Sequence, residues 1–262
     1  MMDFEKVKSV RIAACDLNGQ MRGKRLPGFD KKKFKDGSVR MPLSALNVDI
    51  FGADIENSPL VFETGDQDGL LKITSRGVIP VPWLKKPTAL VPMSMFTEDK
   101  EPFEGDPRYA LERVLKSYEA KGLKAIAATE MEFYLVDERK TSLLPPINPI
   151  SRKRLSTSDV LGISELDYFD DFFNDLQHGC EQTGISIQSI TSESGCGQFE
   201  VTLKHCDALT ASDDAWLFKL LTKGLARKHN IAATFMAKPY LKDVGNGMHI
   251  HFSIIDRNGK NI

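Results

Sequence analysis

The sequence predicts an α+β protein in two domains, strand-rich at the front and with helices interleaved among strands behind. Three observations carry this. Over the first hundred residues strand and turn signals are frequent and long helical periods are missing. A polar, proline-containing stretch, Thr97 to Gly105, then breaks the pattern as a domain linker would. Beyond it, apolar residues at helical spacing alternate with short apolar strands as far as Ile262. The expected division is one domain over 1–100 and another over 101–262, and 262 residues are enough for both.

The elements follow in order. Val7 to Cys15 alternates into Asp16-Leu17-Asn18-Gly19, a turn, and Met21-Arg22-Gly23-Lys24-Arg25 leads back out, which predicts a hairpin. Lys31, Lys32, Lys33 and Lys35 beside Asp30 and Asp36 read as a solvated helix face. Glycine and proline punctuate Gly65 to Pro92, so extended segments and loops are expected there. Asp106-Pro107 is an N-cap followed by proline at the first helical position. Leu111, Val114, Leu115 and Tyr118 then repeat at helical spacing, and Gly122 ends that helix. Ala125 to Val136 reads as a strand. Phe169, Phe172, Phe173 and Leu176 form the core-facing stripe of a second helix that stops near Gly184. Ile185 to Ile190 and Phe199 to Leu203 are strands, Asp213 to His229 is a third helix, and Ile231 to Met236 and Met248 to Ile254 are the last strands. There is no internal repeat and no low-complexity tract.

Composition removes several functional classes. Apolar residues make up 41% and charged residues 27%, the proportions of a globular protein in water. With 35 basic against 36 acidic residues the net charge is −1, so no nucleic-acid partner is implied. The charged start, Met-Met-Asp-Phe-Glu-Lys, lacks the apolar core of a signal peptide. No run approaches the roughly 20 apolar residues that cross a bilayer, so no membrane partner is expected. Cys15, Cys180, Cys196 and Cys206 show no C-x-x-C spacing and fit reduced thiols in a cytoplasm.

Chemistry concentrates in three places. In Thr129-Glu130-Met131-Glu132-Phe133, side chains two apart on a strand point the same way, so Glu130 and Glu132 share a face, roughly 6.5 to 7 Å apart. Two such carboxylates repel unless a cation or base lies between them, although an edge strand with its polar face in water is an equal reading of that strand taken alone. Glu193-Ser194-Gly195-Cys196-Gly197-Gln198-Phe199-Glu200 puts one glutamate at the end of a strand and another early in the next. Its glycines either admit a ligand close to the backbone or simply turn a hairpin. Cys196 has no histidine nearby in sequence and is read as an inert thiol, not a nucleophile. In Gly245-Asn246-Gly247-Met248-His249-Ile250-His251-Phe252-Ser253, His249, His251 and Ser253 share one face, with Met248, Ile250, Phe252 and Ile254 as the apolar back. His178, His205 and His229 have no evident partner and are read as structural.

Four glutamates and one histidine make a hard, oxygen-rich set that suits Mg²⁺ or Mn²⁺. Such ions clamp phosphates in phosphoryl transfer. No Walker loop, G-x-G-x-x-G or kinase motif accompanies them, so a nucleotide would be held in some other way.

These segments, together with Ala233-Thr234-Phe235-Met236-Ala237-Lys238-Pro239, resemble the glutamine synthetase superfamily from about Val10 onward. The resemblance implies an N-terminal β-grasp domain and a catalytic domain whose curved antiparallel sheet, flanked by helices, forms a funnel. It implies one divalent ion on Glu132, Glu193 and Glu200, and a second on Glu130 and His249. His251 with Ser253 would lie by the ATP, Gly245 by the substrate glutamate, and Asp49 would assist the incoming amine in a neighbouring subunit of a homo-oligomer. The implied reaction phosphorylates the γ-carboxylate of glutamate with ATP and lets an amine displace phosphate. Asp16-Leu17-Asn18-Gly19 with Arg22-Gly23-Lys24 is similar to the γ-glutamyl-polyamine and related amine-ligase branch. An organic amine such as a polyamine is therefore expected, with ammonia as the alternative. Val244 departs from the asparagine common in glutamine synthetases. The family's later segment, which supplies arginines and a further glutamate, does not follow Ile262. The expectation is a fragment or a truncated product, with little or no ligase activity on its own. Two other classes compete: a non-catalytic relative kept for assembly or regulation, and an H-x-H metal hydrolase holding one transition metal.

Overall fold

The computed structural model describes residues 6–28, 38–137, 139 and 142–262, which leaves the lysine-rich segment at Lys31 to Lys35 outside the described residues. The chain forms two compact units, Met1–Leu123 and Lys124–Ile262.

In the first unit, β1 (Ser9–Cys15) and β2 (Met21–Pro27) form the expected hairpin, in register from Ser9 opposite Pro27 to Cys15 opposite Met21. The buried Asp16 carboxylate closes the turn, accepting the backbone N–H groups of Asn18 and Gln20 and Nε of Arg22. Then come β3 (Arg40–Pro42), a 3-10 turn (Leu43–Leu46), α1 (Pro59–Phe62), β4 (Asp68–Ile73), β5 (Ile79–Pro80) and β6 (Thr88–Phe96). The sheet order is β2-β1-β6-β4-β3, with β5 against β6. β1 and β6 run parallel and the other pairs antiparallel, so the sheet is mixed. Val10, Ile12, Leu46, Leu71, Val91 and Met95 fill its core.

The stretch Thr97 to Gly105 folds back on β6: the Thr97 N–H donates to the Glu101 carbonyl and Phe103 is buried. Asp106 then caps α2 (Pro107–Glu119), accepting from the Arg108 and Tyr109 N–H groups. Its second oxygen takes the N–H of Met95, so one buried carboxylate ties the helix to the end of β6. Asp106→Ala removes the cap and orphans that amide. It is expected to destabilise this unit by about 1–3 kcal/mol, read from urea unfolding. The apolar stripe of α2 departs from expectation. None of its residues is buried, and Val114 is 53% exposed, because little among the described residues packs on that helix.

The second unit is built on β7 (Lys124–Val136), followed by α3 (Ile163–Tyr168), α4 (Asp170–Thr183), β8 (Ile187–Ser192), β9 (Gln198–Leu203), β10 (Cys206–Asp207), α5 (Ala208–Lys228), β11 (Ala232–Thr234) and β12 (Met248–Ile255). β7 is long enough to pair with β12, β10, β9 and β11, and every pair in the sheet is antiparallel. Phe169, Phe172, Phe173 and Leu176 are buried as their spacing predicts, with Phe169 and Phe173 edge-on to Phe199. Gly184, at φ 75°, closes α4 in the left-handed conformation that favours glycine. α5 starts five residues before the expected Asp213, because Asp207 caps it by accepting from the Thr210 N–H. The short α3 has no counterpart in the expected elements.

β12 also departs from expectation. Met248, Ile250 and Phe252, the supposed apolar back, are each more than half exposed among the described residues. No described helix is long and apolar enough to cross a membrane.

Candidate metal centre

Strand register assembles the site. β7 places Glu130 opposite His249 of β12, and Glu132 opposite Glu200 of β9. Met131 and Phe133, of opposite parity, are buried in the core, so Glu130 and Glu132 share the open face as their spacing predicts. One ligand atom each from Glu130, Glu200 and His249 lie within 4.8 Å of one another.

Mutual repulsion of the acids and pairing with two imidazoles set the electrostatics of this cluster. Carboxylates directly opposite on neighbouring strands repel. Burial pushes the Glu200 carboxyl above the usual range, and the charges of Glu130, Glu193 and Glu132 push it further. Glu130 is held below that range by His251 and then His249, whose Nε2 and Nδ1 lie 2.7 Å from its two oxygens. His249 is correspondingly raised by Glu130. A crowd of acids with one imidazole in ligand range is the donor set of a hard divalent cation. The residues present fit Mg²⁺ or Mn²⁺.

Glu132 and Glu193 flank the inner three. Both described hydrogen bonds to the Glu132 carboxylate fall on Oε2, from Gln198 Nε2 at 3.0 Å and the Gly247 N–H at 2.9 Å. Glu193 directly follows β8; its backbone N–H donates to the Gln198 carbonyl and its carboxylate accepts from the Ser194 N–H. Ser253 lies four residues beyond His249 on β12, opposite Ile126. Gly245 lies in the turn before β12, its carbonyl accepting from Gln198. Asp49 belongs to the first unit, where its Oδ1 accepts the N–H groups of Phe51 and Ala53 and closes its own loop.

The glycines between β8 and β9 make room for protein atoms. A Cβ on Gly195 would sit 1.9 Å from the Tyr134 hydroxyl, which donates to the Val244 carbonyl. A Cβ on Gly197 would meet Pro146 at 2.8 Å, and φ there is 79°. The hairpin-turn reading therefore holds for this loop. Burial and then Asp243 push the Cys196 thiol up to about 11, which fits the inert reading. Two histidines read as partnerless do have partners: His229 Nε2 is 2.8 Å from Asp175, and His178 is 2.7 Å from Gln182.

Gln198 and Asn246 join the site without a strong mark in the sequence. Gln198 was visible on the polar face of its strand beside Glu200, and a neutral amide next to a carboxylate cluster is the available signal. Asn246 was visible only as a turn residue, yet its N–H and side-chain amide bind the Ala237 and Met236 carbonyls.

Residues 104–262 match the family of the glutamine synthetase catalytic domain. The chain is 35% identical, over 99% of its length, to a γ-glutamylputrescine synthetase of Escherichia coli (strain K12). It is 31% identical, over 98% of its length, to a glutamate–isopropylamine ligase of a Pseudomonas species. It spans 56% of the length of each of these relatives. A solved structure described as a novel glutamine synthase homolog superimposes with a TM-score of 0.84 at 22% identity, covering 100% of this chain and 58% of that one, and shows the same fold.

Proposed function

This chain belongs to the glutamine synthetase family, and from that premise we propose that the protein uses ATP to ligate the γ-carboxylate of glutamate to an organic amine. One observation carries the reading: ligand atoms of Glu130 from β7, Glu200 from β9 and His249 from β12 lie within 4.8 Å of one another, with Glu132 directly opposite Glu200, a donor set suited to a hard divalent cation. Glu130, Glu132, Glu193, Glu200 and His249 are the residues that would hold Mg²⁺ or Mn²⁺. Bound there, such ions offset charge on the phosphoryl group passing from ATP to glutamate.

The remaining roles belong to the chain. A carboxylate is a poor electrophile, so the γ-carboxylate is activated as an acyl phosphate, and an amine then displaces phosphate to leave an amide. His251 and Ser253 stand by the nucleotide, the Gly245 turn stands by glutamate, and Asp49 accepts a proton from the amine as it attacks. The homo-oligomer expected of the family would bring Asp49 to a neighbour's site.

An organic amine is preferred over ammonia because both relatives named above take one, and the Asp16 to Lys24 hairpin is similar to that branch. Family membership also removes the H-x-H hydrolase reading. The test is phosphate release by the full-length protein with ATP, glutamate and a panel of putrescine, short alkylamines and ammonia. The expected result is release dependent on glutamate, with kcat/KM at least about tenfold higher for one organic amine than for ammonia, a difference of roughly 1.4 kcal/mol. A preference for ammonia would overturn the choice of amine. Release independent of glutamate would overturn the reaction.

A further inference from the structure

We infer that Gln198 is a positioning residue that couples the metal carboxylate Glu132 to the turn over 243–247; the inference rests on the reading of Glu132 as a cation ligand. Gln198 is only 1% exposed, although it lies on the polar face of β9 beside Glu200. Its amide is fully engaged. Nε2 donates to Glu132 Oε2 at 3.0 Å, to the Gly245 carbonyl at 2.9 Å and to Asn246 Oδ1 at 3.1 Å. Oε1 accepts the Gly195 N–H at 3.0 Å.

The bond pattern fixes the orientation of the amide. Asn246 Nδ2 donates to Met236, so Asn246 turns its oxygen toward Gln198, and only an NH₂ group can face that oxygen, a carbonyl and a carboxylate at once. A carboxylate or a thioether at this position supplies no donor. The Gly247 N–H reaches the same Glu132 oxygen, and a Cβ on Gly247 would sit 2.8 Å from Glu132 Oε1, so the turn presses closely on this carboxylate.

Two consequences follow. Gln198 and Gly247 engage Oε2 and orient Glu132 with Oε1 free of the described bonds. Outer-shell contacts that fix a ligand in this way typically change metal affinity 10–100-fold when removed. The same amide also grips the turn, so a cation that immobilises Glu132 immobilises residues 243–247 through Gln198. Metal occupancy then organises the segment next to the substrate glutamate.

The test compares the full chain with Gln198→Met, which keeps length and volume but has no donor. Mg²⁺ binding is followed by calorimetry and backbone exchange over 243–247 by hydrogen–deuterium mass spectrometry. The wild type is expected to bind Mg²⁺ and to exchange more slowly over 243–247 when it does. Gln198→Met is expected to bind 10–100-fold more weakly and, even at saturating Mg²⁺, to show no slowing. Unchanged affinity and unchanged slowing in Gln198→Met would overturn the coupling while leaving the metal reading intact. Failure of the wild type to bind Mg²⁺ or Mn²⁺ would overturn both. If thermal melts show Gln198→Met unfolded, Asn246→Ala removes a partner of the same amide from the turn side. It is expected to abolish the slowing, and retention of the slowing would count against the inference.

Discussion

Glu200→Gln is expected to weaken Mg²⁺ or Mn²⁺ binding at least about 100-fold while making the metal-free protein more stable at neutral pH. Both effects come from one carboxylate. Glu200 shares ligand range with Glu130 and His249 and stands opposite Glu132. Its folded-state pKa is raised, by burial first and then by Glu130, Glu193 and Glu132. An acid whose pKa is raised on folding binds its proton more tightly in the folded state, so its ionisation there opposes folding. That penalty is absent below the unfolded pKa and complete above the folded one. Wild-type stability should therefore fall as pH rises through that window, and the fall should be smaller in Glu200→Gln. Melting temperatures in chelator across the acidic range give one readout and calorimetric titration with Mn²⁺ the other. A variant that binds Mn²⁺ like the wild type would remove Glu200 from the site. A variant less stable than the wild type at neutral pH would mean that the acidic cluster is not strained.

The parts of this site legible in the sequence were those set by local period. Alternation on one strand puts Glu130 and Glu132 together whatever the rest of the chain does, and the same parity buries Met131 and Phe133. Asp106-Pro107, Gly184 and the phenylalanine stripe of α4 declare themselves within a few residues, because caps and amphipathic faces are local physics. The grouping of the ligands is of another kind. Whether Glu200 falls opposite Glu132 or one residue away depends on the pairing of strands some seventy positions apart, which no short window encodes. The ion-by-ion grouping implied by the resemblance sets Glu132, Glu193 and Glu200 on one ion. Among the described residues, Glu130, Glu200 and His249 have ligand atoms within 4.8 Å of one another, and Glu130 pairs with both histidines. The role of Gln198 was hidden for the same reason, since its partners lie 47, 48 and 66 positions away. α2 and β12 mark the converse limit. Their apolar faces are plain in the sequence, but what packs on a face is a tertiary fact, and among the described residues those faces stay largely open.

Phe133→Ala is expected to destabilise the second unit by about 3–5 kcal/mol, more than any other prediction made for the fold. The ring is fully buried and meets three others, with centroids 5.4 Å from Phe235 and 6.4 Å from both Phe199 and Phe218. Those partners come from β9, from α5 and from the segment after β11, so the lost volume lies where strand, helix and loop meet and cannot close by moving one side chain. A loss of this size should lower the melting midpoint by roughly 10–20 °C. Val114→Ala on the half-open α2 should cost no more than about 0.5 kcal/mol. A calorimetric shift below about 3 °C for Phe133→Ala would mean that the aromatic cluster does not hold this unit together. The consequence reaches the metal centre through parity alone. Phe133 follows Glu132 on the strand, so the packing that fixes the ring on one face fixes the carboxylate on the other. Phe133→Leu should accordingly keep most of the Mn²⁺ affinity, while Phe133→Ala loses affinity and stability together.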